Sequence, residues 1–167
     1  SNRKRCLRDL KELGYQVGTG FMVGSPWQTM ANLLEDLAFI RELQPQMIGI
    51  GPFIPHHATP FKNYPAGTLE QTLTLLSVLR LMFPKVLLPA TTALGTIVPN
   101  GRELGILAGA NVVMPNLSPA DVRQNYLLYD NKLCSGAEAA EAKNDLAARL
   151  HSIGYGIAEG RGDYKES

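Results

Sequence analysis

Apolar and polar positions along the chain fall into a repeating strand-then-helix order. Over residues 3–13, Cys6, Leu7, Leu10 and Leu13 recur at helical spacing, and Gly14 follows as a C-terminal stop. The next stretch, YQVGTGFMV over residues 15–23, is apolar and glycine-rich and reads as a strand. Gly24-Ser25-Pro26 breaks it, and Thr29 is placed to cap a helix running to about residue 43. The pattern returns with a strand at 47–53 (MIGIGPF), a long loop over 54–67 and a helix from Thr68 to about residue 83. It returns again with a strand at 86–91 and a helix at about 101–108, and a fourth strand is expected at 111–114. A long helix at about 136–151 and a short strand-like stretch at 154–158 close the chain.

Strands apolar on both faces, alternating with amphipathic helices, predict a parallel sheet covered by helices. The regular spacing fits βα repeats of a TIM barrel, and no GxGxxG or Walker loop points to an open doubly wound sheet. The expectation is an α/β fold: four parallel βα units, half of a (βα)8 barrel, plus a C-terminal helical appendage. The distinctive residues follow the strands: Gly24-Ser25-Pro26, Pro55-His56-His57, Thr91-Thr92-Ala93 and Met114-Pro115-Asn116. In a barrel, these loops share the rim where ligands bind.

Composition narrows the functional classes. With 167 residues, 45% of them hydrophobic, the chain is large enough to bury a core. Sixteen basic against fifteen acidic residues leave a formal charge of +1 with no block of either sign, which argues against nucleic acid and membrane partners. No apolar run reaches the roughly 18–20 residues of a transmembrane helix, and no signal-peptide pattern opens the chain, so a soluble cytoplasmic protein is expected. Cys6 and Cys134 lie far apart without CxxC spacing, which indicates neither a disulfide framework nor a metal knuckle.

Several side chains carry candidate chemistry. Thr91 and Thr92 stand at a strand end, where two hydroxyls and the free N–H groups of a turn can hold a carboxylate or another anion; equally, β-branched threonines suit strand ends. Tyr126 and Tyr129, at i and i+3, share one helix face and would either orient a ligand or brace the segment, while Arg123 reads as a surface salt-bridge partner. His56-His57 invites a metal reading, but adjacent side chains in an extended loop point to opposite sides, so no metal site is expected there.

The wording LKELGYQVGTGFMVGSPWQT, IGIGPFIPHHATP, LPATTALGTIVPNGRE and GANVVMPNLSPADVRQNYLLY resembles, in order and spacing, successive blocks of the radical S-adenosylmethionine (SAM) family of FeFe-hydrogenase maturases, HydE. Biotin synthase and methylornithine synthase are similar but weaker matches. The resemblance covers roughly residues 3–134, leaving 135–167 as a C-terminal helix and tail. It implies a barrel whose CxxxCxxC loop, which binds a 4Fe–4S cluster, lies upstream of these residues, so the chain on its own is expected to be catalytically silent. The parent would cleave SAM reductively to methionine and a 5′-deoxyadenosyl radical during assembly of the hydrogenase di-iron centre.

The resemblance also implies residue roles. Arg3 matches a contact to the SAM carboxylate, Met22 and Ile54 match apolar positions packing on SAM, and Met114 matches a methionine reaching the reaction chamber; in isolation these three apolar residues would be read as core. Thr91 and Thr92 become the substrate-side residues, and Tyr126 and Tyr129 the tyrosines near the substrate cavity. Partners would be a small-molecule substrate and other hydrogenase maturation proteins. Half a barrel also leaves two strand edges and an inward layer of Val, Ile and Met uncovered, so two copies are expected to pair edge to edge as a homodimer. Two other classes compete: a small self-standing βα enzyme acting on a phosphorylated or carboxylated metabolite, and a non-catalytic docking scaffold.

Overall fold

A computed structural model describes residues 1–115, 119, 122, 129–131 and 139–165. Four parallel strands follow one another: β1 (Gly18–Val23), β2 (Met47–Pro52), β3 (Pro89–Ala90) and β4 (Val112–Val113). β1 pairs with β2 from Gly18↔Met47 to Val23↔Pro52, and β3 pairs with β4 at Pro89↔Val112 and Ala90↔Val113. A parallel bridge, Met47↔Leu87, joins the two pairs into the spatial order β1-β2-β3-β4. The crossovers are helical: α2 (Met30–Leu43), α3 (Leu69–Met82), and the pair α4 (Thr92–Ile97) and α5 (Gly101–Leu107). Helix α1 (Asn2–Glu12) precedes the sheet and α6 (Ala139–Ser152) follows it.

The helix starts follow from local chemistry. Thr29 forms a capping box with Asn32 ahead of α2, and the Thr68 hydroxyl accepts from the Gln71 amide at 3.2 Å ahead of α3. The guanidinium of Arg80 gathers the far end of α3. It donates to the carbonyls of Gly109 at 2.7 Å, Pro84 at 2.8 Å, Val86 at 3.0 Å and Phe83 at 3.2 Å, and burial pushes its pKa down. These bonds tie the end of α3 to the approaches to β3 and β4, two of the carbonyls being shared with other donors: Phe83 also accepts from the Val86 amide at 3.2 Å and Val86 from the Asn111 side chain at 3.3 Å.

One continuous core lies between sheet and helices. Ile48 and Ile50 of β2, Leu88 and Ala90 beside or within β3, and Val23 of β1 meet Ile40, Leu76, Leu79, Leu94 and Ile106 from the helices. Leu146 and Leu150 of α6 enter the same cluster. Each buried leucine or isoleucine contributes about 1.5–3 kcal/mol of apolar burial. Arg149 of α6 pairs with the buried carboxylate of Glu103, Nη2 to Oε2 at 3.0 Å, and also donates to the Pro99 carbonyl.

Four expectations change. Residues 154–158 form no strand. The crossover after β3 begins at once with α4, although TALGTI is too short for a helical period to show and carries Gly95 and two threonines. The ladders of β3 and β4 are two residues long, shorter than the apolar runs around them. Finally, the inward face of β1 and β2 is not a layer of Val and Ile. Those residues turn toward the helices, and the opposite face carries Gly18, Gly20 and Met22 beside Met47, Gly49 and Gly51. At Gly20 a Cβ would lie 1.8 Å from the Gly49 carbonyl oxygen, so only glycine allows the backbones to meet there.

Candidate functional site at the strand ends

The C-terminal ends of the strands form a row on the inward face. Met22 registers with Gly51, and a Cβ at Gly51 would stand 2.6 Å from the Thr91 hydroxyl oxygen, which places Thr91 directly beside Gly51. Thr91 and Met114 are the residues that directly follow the Ala90↔Val113 pair, at the ends of β3 and β4. Met22 and Met114 are 58% and 53% exposed on this chain.

Thr91 is the chemically distinctive member of the row. It precedes α4 in the N-cap position but makes no side-chain capping bond, and its hydroxyl oxygen is buried without a hydrogen-bond partner among the described residues. An orphaned buried hydroxyl costs about 1–3 kcal/mol, and it recovers that cost when a ligand supplies the missing donor or acceptor. Thr92 follows as the first residue of α4, half-buried, with its carbonyl accepting from the Thr96 hydroxyl at 3.2 Å.

Ile54 lies half-buried in the loop after β2. Arg3 is not brought to the row: it is exposed on α1 and lines a shallow hollow with Cys6, Gly18, Thr19, Gly20 and Asp36, beside the first half of β1. Within that hollow, burial raises the pKa of Asp36 against the opposing pull of Lys4. Tyr129 is half-buried, whereas Tyr126, Arg123 and Cys134 lie outside the described residues.

The rim loops hold two clusters that the sequence pattern does not announce. The His56 and His57 rings do not point to opposite sides: they stack with centroids 4.3 Å apart and planes 25° apart, because the chain turns at these residues instead of staying extended. Asp130 joins them, with one ligand-type atom from each residue within 4.8 Å of the others. Each ring already commits Nδ1, His56 accepting from the Ala58 amide at 3.1 Å and His57 contacting Asp130 Oδ1 at 2.7 Å. The His57 side-chain hydrogen bond lowers the pKa of the half-buried Asp130 carboxyl, against the opposing effect of burial.

The second cluster is aromatic. Trp27, in left-handed backbone at φ 63°, sets its ring edge-on to Tyr64 at 5.2 Å and Phe61 at 5.9 Å, and Phe61 meets Phe53 at 6.4 Å. The cluster ties the loop after β1 to the loop after β2. Its only sequence sign is the gathering of aromatics in two loops that the barrel reading already places on one rim.

Comparison with known proteins places this geometry in a family. The chain is 51% identical over 133 residues to the [FeFe] hydrogenase maturase subunit HydE of Thermotoga maritima, a match covering 80% of this chain and 38% of the relative. It is 33% identical over 131 residues to the 3-methylornithine synthase of Methanosarcina barkeri, covering 78% of this chain and 37% of that protein. Among solved structures, methylornithine synthase (PylB) superposes with a TM-score of 0.73 at 28% identity, over 94% of this chain and 45% of that one. No protein-family model matches the chain. The chain thus spans well under half the length of these relatives. Half-identity over four fifths of its length, together with the shared parallel βα architecture, makes this chain a HydE-like radical SAM half barrel, the counterpart of the C-terminal half of that fold.

Proposed function

We propose that this chain supplies the substrate-side half of a cytoplasmic radical SAM enzyme acting in assembly of the FeFe-hydrogenase di-iron centre. The observation that carries the reading is the row Met22, Gly51 and Thr91, which ends in a buried, unpartnered hydroxyl at the C-terminal rim. Thr91 and Thr92 hold an anionic group of a small substrate. Met22 and Met114 supply exposed apolar surface for SAM, with Ile54 in the neighbouring loop. The bare face of Gly49, where nothing lies within 4 Å of a would-be Cβ, lets a flat ligand lie close to the sheet. Arg3 stays on α1 away from this row, so its contact to the SAM carboxylate is proposed from the family likeness alone, and Tyr129 and Tyr126 flank the substrate.

Among the described residues Cys6 is the one free thiol, and a single exposed cysteine does not provide the three-thiolate donor set of a 4Fe–4S cluster. That group is assigned to residues outside this chain, and the chain alone is proposed to be inactive. SAM and the cluster supply the radical chemistry; this half barrel binds, orients and encloses the reactants. No helix of the described residues is long and apolar enough to cross a membrane. The similarity to 3-methylornithine synthase supports a second reading, in which an amino-acid carboxylate occupies the Thr91 position.

The test is anaerobic reconstitution of the full-length protein with iron and sulfide, followed by assay of 5′-deoxyadenosine formation from SAM. Formation in the parent and loss of substrate-coupled turnover in Thr91→Val support the proposal. An iron-free protein that never cleaves SAM overturns it. Isolated copies of this chain are proposed to pair through β1 and β4, each paired on one side only among the described residues, and to meet other maturation proteins on the closed barrel. A monodisperse monomer in light scattering would sink the pairing.

A further inference from the structure

The loop after β2 and the segment after β4 meet at a single carboxylate. The Asp130 amide donates to the Pro55 carbonyl at 3.2 Å, the His57 amide donates to Asp130 Oδ2 at 2.8 Å, and the His57 ring contacts Asp130 Oδ1 at 2.7 Å. Both carboxylate oxygens and the backbone of one residue are therefore committed to a three-residue stretch of the opposite loop. Tyr129 is covalently joined to that clamp, and its backbone lies beside Pro55, next to Ile54. The stacked His56 ring limits the freedom of the His57 ring that makes the contact.

We infer that Asp130 is a positioning residue: its two-pronged grip on His57 fixes the backbone of Tyr129 at the mouth of the site. The inference rests on the proposed role of Tyr129. Two bonds to one carboxylate define an orientation as well as a distance, which a single contact would not. Among the described residues, the ionisable groups acting on Asp130 are His57 and, more weakly, His56. Because the folded-state pKa of Asp130 is lowered, the clamp is in place above the ordinary carboxylate range. It is lost as pH falls through the lowered value.

The experiment places 3-fluorotyrosine at position 129 of this chain and follows its fluorine resonance from pH 7 downward, with hydrogen exchange read at the His57 amide. Asp130→Ala should move the resonance at neutral pH and speed exchange of that amide by about tenfold or more, the size expected for one lost charge-assisted hydrogen bond. The unsubstituted chain should move toward the Asp130→Ala position as the carboxyl is protonated. Asp130→Asn keeps an acceptor for the His57 amide but does not titrate, so it should abolish the acid step. His57→Ala probes the clamp from its other side and should reproduce the neutral-pH shift. An Asp130→Ala spectrum identical to the parent's, or an acid step that survives in Asp130→Asn, overturns the inference. If the resonance moves as expected while Tyr129→Phe leaves turnover of the reconstituted full-length protein unchanged, the clamp stands and the role given to Tyr129 falls. The reverse pattern overturns the clamp alone.

Discussion

Gly51 makes room for Thr91: a Cβ on residue 51 would stand 2.6 Å from the Thr91 hydroxyl oxygen and 3.4 Å from its Cβ. Gly51→Ala therefore forces Thr91 to rotate or β2 and β3 to part. Overpacking of this kind costs about 1–3 kcal/mol. The expected outcome is a lowered melting temperature together with weakened substrate binding in the reconstituted parent. Gly49→Ala is the control, because nothing lies within 4 Å of its would-be Cβ, and it should leave stability nearly unchanged.

Thr91→Val separates stability from binding. The Thr91 hydroxyl is buried and unpartnered among the described residues, so replacing it with a methyl of similar shape removes a desolvated polar group without breaking a bond. Stability in the absence of substrate should be unchanged or rise by up to about 1–3 kcal/mol, measured by denaturant unfolding. Substrate affinity should fall, while Thr91→Ser retains it. A destabilised Thr91→Val variant would mean that the hydroxyl has a structural partner, and the anion-binding role would lose its physical basis.

The order of the βα units, the Thr29 and Thr68 caps and the rim position of Thr91 are legible in the sequence because each rests on local pattern: periodicity, capping chemistry and the alternation of strand and helix. The direction in which the inward face is filled is not. Periodicity shows that Ile48 and Ile50 share a side, but a parallel strand covered on both faces reads as one apolar run, and only packing against Leu76, Leu79 and Leu88 reveals which side is core. The His57–Asp130 contact joins residues 73 apart, and the Trp27–Tyr64 contact joins two loops. Neither leaves a trace in local spacing, and the turn that stacks His56 on His57 is a tertiary outcome.

Arg80 offers a test of how the sheet is held at its base. Its four carbonyl contacts connect α3 with the residues ahead of β3 and with Gly109 ahead of β4. Arg80→Met keeps the apolar stem and removes every guanidinium donor, leaving the Gly109 and Pro84 carbonyls to find water while Phe83 and Val86 keep one donor each. A loss of about 2–3 kcal/mol is expected from the cost of unmade hydrogen bonds to a charged donor, read as a lower denaturation midpoint. Arg80→Lys should recover only part of it, because one ammonium cannot reproduce the spread of the guanidinium fork.

Glu103 and Arg149 decide whether α6 belongs to the barrel or only rests on it. Glu103 is 7% exposed, and Arg149 reaches it from α6 while also donating to the Pro99 carbonyl. Arg149→Met leaves the Glu103 carboxylate buried opposite an apolar side chain, and removing one partner of such a pair costs about 3–5 kcal/mol. Arg149 is partly exposed, which admits water and brings the expected loss toward the lower end of that range. The double variant Glu103→Gln with Arg149→Met should recover much of the loss, since the uncompensated charge is gone. In the Arg149→Met variant, hydrogen exchange should rise first along α6, where Leu146 and Leu150 dock on the shared core. If α6 instead stays protected while α5 opens, the ion pair holds the Glu103 helix in place, and the leucine contacts alone retain α6.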